Sequence, residues 1–391
     1  MKNNSRFDFV QLRSAIASGS VELPQAVFEA MENPIDFPSI DRAIVPGDRI
    51  AIAVHSSLIQ AQAVVVAVID WLWKQENLSD IQITVVLASG SDSLATSIRD
   101  WLANEQEQRI SGLPTQCRVV CHDPDDPQNL EYIAASAQAE AIYLHRDLVE
   151  ADFVIPIYRW LEPNDPRRND PYVVLPAFAD RATINRHAKA WLRQAGAPIK
   201  SSKNLPESGW LVGVQFAIGI LANQEGHIAR LVSGTPEAVD RACREGLVSS
   251  ATPHSGEIEK GFELIVVQLV DESSGSLWSQ VASAAHSAQR WLTPTGRIVV
   301  VATSLDDVSA GISALASDEP DEELQQILLE GQLEDAFSAA VLRGIQSRRS
   351  VYLQSQVDPE ILESLGFASI RDPSELERLM QSVPRVGVME Y

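Results

Sequence analysis

Apolar positions along the chain fall into short unbroken runs, separated by longer stretches in which they recur at helical spacing. Residues 48–54 (DRIAIAV), 81–88 (IQITVVLA) and 117–121 (CRVVC) are three such runs. Their length and their β-branched content predict strands covered on both faces. Between the first two, residues 57–74 place Ile59, Ala63, Val66 and Ala67 on one helix face. The Ser89-Gly90-Ser91 turn leads into a second predicted helix that runs through Leu102. Strand and helix in alternation predict a parallel sheet with crossover helices. Ahead of this series, residues 1–45 read as a helical and loop lead-in, with prolines at 24, 34 and 38.

A fourth strand, residues 151–158, is followed by a segment that can be neither sheet nor helix. Residues 161–171 (LEPNDPRRNDP) hold three prolines, three acids, two asparagines and two arginines. Proline fixes φ and removes a donor, so this density forces an irregular loop. A second apolar patch, residues 172–178, and a helical run carrying His187 come next. A polar loop leaving the C-terminal end of a buried strand is where open α/β proteins place their sites.

The pattern repeats in the second half. Residues 195–208 read as loop, 210–221 as strand and 238–246 as helix. Residues 249–260 (SSATPHSGEIEK) make the best linker. Beyond it, strands are predicted at 263–270, 296–303 and 385–389, with helices over 277–292 and 322–346 and smaller elements from 351–353 to residue 371. The expected architecture is α/β, with two domains, each a mainly parallel sheet flanked by helices, and a cleft between them. The domains span 1–250 and 258–391, the last strand being free to return to the first domain.

Composition narrows the function. At 391 residues with 45% hydrophobic content, the chain is globular and long enough for two domains. A net charge of −22 argues against nucleic acid or an anionic membrane surface as partner. Cys117, Cys121 and Cys243 form no disulfide framework, and no second cysteine pair completes a zinc set. They read as buried thiols on an apolar strand pattern. The first residues, MKNNSRFDFVQ, hold no apolar signal region, and the run 63–69 is far short of a membrane span. A cytoplasmic protein is expected. No HExxH, phosphate-loop or GxSxG motif occurs.

Two features of the chain read as chemistry on their own. Arg167 and Arg168 are paired in the proline-rich loop of an acidic protein, an arrangement suited to a carboxylate or phosphate. The alternative is pairing with Asp165 or Asp170. His122-Asp123 reads either as an oriented imidazole or as a strand end, with Asp123 capping the turn at Pro124.

The frame Ala151-Asp152, Glu162-Pro163, Pro176, Thr183-Ile184 and His187 resembles the signature region of the lactate racemase-like family, whose active members bind a nickel pincer nucleotide. The resemblance recurs along most of the chain, but the chemistry departs from it. Asn164 stands where the family has histidine after Glu-Pro. Asp170-Pro171 replaces its double glycine, and Tyr172 its cofactor lysine. Ala177 and Arg186 replace a glycine and an asparagine. At the end of the first strand, residues 55–60 (HSSLIQ) replace the segment that binds substrate and cofactor. Asp92 replaces the histidine after the second strand, while His122-Asp123 is kept. The helix over 278–290 lacks the lysine of the family's Gln-x-x-Lys.

The resemblance therefore implies a divergent member with no pincer cofactor. Without the lysine the covalent link cannot form. Loss of the histidines removes proton transfer and nickel ligation together. Such a protein would bind a small hydroxy acid or other anionic metabolite, or act as a regulatory relative. The competing reading is an isomerase, a racemase or epimerase of a 2-hydroxy acid with a rearranged site. On either reading His187 is the candidate acid/base, and Arg167, Arg168, Asn164, Asp92, Ser56 and Tyr172 are the candidate ligand-binding residues. Asp92 also reads as a helix cap. The expected partner is a small-molecule anion, with no nucleic acid and no membrane, and a homo-oligomer is left open.

Overall fold

The computed structural model of the chain describes residues 8–13, 20–75, 78, 80–108, 117–136, 139–161, 174–194, 212–223, 227–250, 261–269, 276–317, 319–320, 323–324, 327–328, 333 and 335–390. It opens on a strand, β1 (Asp8–Arg13), where the prolines had suggested helix and loop. The helical part of that lead-in is Leu23–Glu32, which buries Val27, Ala30 and Met31, and the short helix Ile40–Ala43.

The strands then follow the apolar runs. β2 (Arg49–Val54) exposes its arginine and buries the next five residues, as a strand covered on both faces must. β3 (Gln82–Leu87) and β4 (Cys117–Cys121) lie beside it in order. Helix Ala61–Trp73 buries Val64, Val65, Val68, Ile69, Trp71 and Leu72. It starts later than residue 57, because residues 56–60 are spent in turns at the end of β2. After β4 comes a hairpin, β5 (Leu130–Ala135) against β6 (Ala141–His145), which the apolar pattern had not suggested. β7 (Phe153–Arg159) returns to the sheet on the other side of β2, and β8 (Ala217–Ala222) and β9 (Ile228–Gly234) extend it.

The first sheet therefore runs β4-β3-β2-β7-β8-β9, parallel except for the antiparallel pair β8 and β9. The chain winds outward from β2 in one direction and then, through β7, in the other. Where such a winding reverses, the crossovers leave a crevice at the C-terminal ends of the strands. Here that place is between β2 and β7.

The second sheet is built around β10 (Phe262–Gln268), with β11 (Leu292–Val301), β12 (Val351–Gln354) and β13 (Ala368–Ser369) on one side. β14 (Arg385–Glu390) lies on the other side and carries β1 outside it, giving the order β1-β14-β10-β11-β12-β13, parallel throughout. The return of the last strand to the first sheet is not what the chain does. The exchange runs the other way: β1 pairs with β14 from Asp8↔Arg385 to Arg13↔Glu390. Two further expectations are corrected. Helix Leu277–Ala288 stops short of residue 292, since Leu292 opens β11. The helix expected over 322–346 is not continuous, because Asp335, at φ +59°, interrupts it before helix Ala336–Gln346. Most of the linker expected at 249–260 lies outside the described residues, and helix Pro236–Ser250 runs into its start.

The two sheets meet through helix Arg181–Gln194. It packs on helix Ala336–Gln346, and its Ala188 joins the apolar core of the second sheet.

Candidate functional site

The reversal point is furnished by the residues that follow β2. The His55 amide donates to the Ile157 carbonyl of β7 (3.2 Å), so the ring is delivered beside both strands. Its Nδ1 accepts from the Ser57 amide (3.1 Å) and lies 2.8 Å from the Ser57 hydroxyl. A ring nitrogen that accepts from an amide cannot carry the proton, so the imidazole is neutral and Nε2 is the N–H donor. Burial agrees, pushing the His55 pKa down to about 4. Among the described residues, nothing takes the Nε2–H bond.

Gln60 closes this turn in the left-handed region, at φ +49°, and its carbonyl accepts from the Val64 amide (3.1 Å) as helix Ala61–Trp73 begins. A side chain in that conformation costs on the order of 1 kcal/mol, and such strain gathers at functional segments. Gln60→Gly is accordingly expected to raise the chemical-denaturation midpoint, by the equivalent of about 1 kcal/mol.

The next strand ends form the neighbouring rim. The Ser89 hydroxyl donates to the His122 carbonyl (2.8 Å), tying the exit of β3 to that of β4. Ser91 is buried, and its carbonyl accepts from the Ala95 amide. Asp92 is the exposed first residue of helix Asp92–Gln108, where a carboxylate meets the positive end of the helix dipole. It also lies near Cys121, whose thiol is held above its ordinary range first by burial and then by Asp92. Asp123 accepts from the Asp125 amide (2.9 Å), the turn-capping role.

Behind the rim sits a pair of histidines. His122 and His145 are both 2% exposed, and their rings meet edge to face at 5.5 Å. The segment that leads into helix Arg181–Gln194 passes over them. His122 Nε2–H donates to the Ala179 carbonyl (2.9 Å), and the His145 amide donates to the Phe178 carbonyl (2.9 Å). A cis bond joins Leu175 to Pro176 in this segment.

His187 is half-buried on that helix. Burial lowers its pKa, with the adjacent Arg186 adding to the effect. Arg186 is turned away to the hairpin, donating to the Ala141 carbonyl (2.7 Å) and pairing with Glu140 (3.4 Å). Among the described residues, no hydrogen bond or ion pair reaches His187, and none joins it to Asp92 or to Ser56, which is exposed beside His55. Asn164, Arg167, Arg168 and Tyr172 lie outside the described residues. The residue the sequence reading passed over is His55. Its signal was present: a histidine ending a buried strand, with a serine two positions on. Among the described residues, no group of three or more His, Cys, Asp or Glu side chains is placed to hold a metal ion. Nor is any helix there long and apolar enough to cross a membrane.

Residues 4–157 match the family model of the lactate racemase N-terminal domain. No curated protein matches the sequence. Among solved structures, the lactate racemase apoprotein from Thermoanaerobacterium thermosaccharolyticum matches at a TM-score of 0.73 and 14% identity, over 98% of this chain and 93% of that one. A protein from Thermotoga maritima matches at a TM-score of 0.62 and 11% identity, over 95% of this chain and 97% of that one.

Proposed function

We propose that this chain, a lactate racemase-like protein by its N-terminal domain and its fold, has given up the nickel pincer cofactor and binds a small hydroxy acid or related anion. The observation that carries the reading is His55. A neutral imidazole is fixed through Nδ1 at the point where the sheet reverses direction, and its Nε2–H is left to donate. A carboxylate oxygen is the natural acceptor for that bond. The Arg167 and Arg168 pair in the loop after β7 would supply the positive charge that a chain of net charge −22 otherwise lacks.

The residues present do not fit the family's cofactor. At the aligned positions the chain offers a phenol at Tyr172 in place of an amine, an amide at Asn164 and a carboxylate at Asp92 in place of imidazoles. Asp92 is exposed on a helix N-terminus with a cysteine thiol beside it, and His187 is the one histidine of the set that remains. What these residues can do is bind and orient: His55 donates from Nε2, and His187, held neutral by burial, can accept or donate a proton at an imidazole nitrogen.

The test is calorimetric titration of the purified protein with 2-hydroxy acids and sugar acids. Binding is expected in the parent and lost in His55→Phe, while thermal unfolding shows the variant folded. Equal binding by the variant would refute the role of His55. Stoichiometric nickel, or added covalent mass after expression with the cofactor-making enzymes, would overturn the reading as a whole. Inversion of the bound acid's stereocentre would instead establish an isomerase with a rearranged site.

A further inference from the structure

We propose that the buried His122–His145 pair is a positioning clasp: it holds the segment 174–180, and through it the helix that carries His187, against the first sheet, and proton uptake by the pair releases it. The inference rests on the proposed site only for the importance of His187.

The geometry is a set of bonds from three places in the chain to one short segment. His122, at the exit of β4, holds the Ala179 carbonyl by its ring. His145, at the end of β6, holds the Phe178 carbonyl by its amide, and Phe178 in turn lies 6.0 Å from the His122 ring. Asp180 completes the hold, accepting from the Tyr143 amide (3.1 Å) and donating its own amide to the Tyr143 carbonyl (3.1 Å). Helix Arg181–Gln194 starts at the next residue, so this segment sets where His187 stands.

The bonds to the segment can all be made with either ring protonated, so acid acts on the hold through the burial of that charge. His145 Nδ1 accepts from the Asp147 amide (3.3 Å), which fixes its proton on Nε2. Among the described residues, the buried His122 Nδ1 has no hydrogen-bond partner. A proton added to either ring must sit in a place with little water, next to another imidazole. The acids around the pair favour that charge, but burial outweighs them, and each is engaged elsewhere. Asp147, which approaches His145 Nδ1 at 3.8 Å, is paired with Arg118. Asp125 is paired with Arg181 (2.8 Å). Asp123 and Asp126 face the pair from the exit of β4, but each is engaged in its own turn. Burial holds both imidazoles below their ordinary value of 6.5, His145 to about 4, with each positive neighbour adding to the shift. The released rings return to ordinary solvation. Acid therefore favours the released form between these two values, by up to about tenfold per pH unit for each proton taken up.

The experiment is hydrogen exchange on the full chain at about pH 7.5 and about pH 5, corrected for intrinsic rates, with imidazole NMR on the same samples. The amides of 178–187 are expected to lose at least about tenfold protection at the lower pH relative to β2 and β3, and the two ring signals to titrate below 6.5, that of His145 at about 4. In His122→Gln with His145→Asn, amide side chains replace the ring donor and the ring acceptor but do not titrate, so the loss of protection should vanish. Ring signals titrating near 6.5, or segment protection independent of pH in the parent, would overturn the clasp. So would a double variant that responds as the parent does. No ligand enters the measurement, so a failure of the proposed binding function leaves it standing.

Discussion

Gly234→Ala is expected to destabilise the protein by more than about 3 kcal/mol, enough to remove a large part of a typical domain's stability. Gly234 ends β9 at φ +146°, a conformation that side chains rarely adopt. The larger cost is contact. A Cβ there would stand 2.1 Å from the Ile35 carbonyl oxygen and 2.7 Å from the Ile35 nitrogen, both backbone atoms. Neither can yield alone, because Ile35 donates to the Ser233 carbonyl (2.8 Å) and accepts from the Thr235 amide (3.1 Å). These bonds fasten the segment after helix Leu23–Glu32 to the edge of the first sheet. Gly213 is the control. Its φ is +70° with nothing within 4 Å of a built Cβ, so Gly213→Ala should cost only the conformational share, about 1–2 kcal/mol. Chemical denaturation of the two variants measures the difference. Equal midpoints would show that the close approach at Ile35 is relieved at little cost.

β2, β3, β4 and β7 were legible in the sequence because strands buried on both faces need largely apolar runs, and residues 50–54 or 153–158 are such runs. β1 was not legible. It is an outer strand whose partner, β14, lies at the far end of the chain, and no local pattern encodes that pairing. The hairpin of β5 and β6 was missed for a related reason: no residue of β5 is buried and β6 buries only Ile142, Leu144 and His145, with Tyr132 and Tyr143 outward, so the apolar contrast is weak. Among the candidate residues, Asp92 was read both as a ligand position and as a helix cap. It stands in the first turn of its helix, while Ser91 precedes it. His122 was weighed against a simple strand end, and its bond to Ala179 depends on a segment more than fifty residues away. His55 was in plain sight, but its tautomer follows from a bond to Ser57 that only the folded turn creates.

Stability against denaturant is expected to form a plateau near neutral pH, with a loss on each side from different groups. The acid side comes first from histidines. His55 and His145 stand at about 4 when folded and have an ordinary value of 6.5, so between those values the unfolded chain binds more protons. Stability is then fully present above 6.5 and falls as the pH drops toward 4. His122, also lowered by burial, acts in the same direction. Carboxylates enter later. Arg181 holds Asp125, and Arg49 holds Asp152, below the ordinary 3.8, so their contribution is lost only under more acid conditions. On the alkaline side the sign reverses with the charge type. Burial raises the Cys117 thiol from 9.0 to about 12, so the unfolded chain releases its proton first and stability falls as the pH rises through that range. Unfolding midpoints at about pH 5, 7.5 and 10 test both arms. Cys117→Ala should flatten the alkaline arm and leave the acid arm, while His145→Asn should do the reverse in part, keeping an acceptor for the Asp147 amide without a titrating ring. A midpoint that does not move between about pH 6.5 and 5 would mean that the buried imidazoles reach water as readily in the folded chain as in the unfolded one.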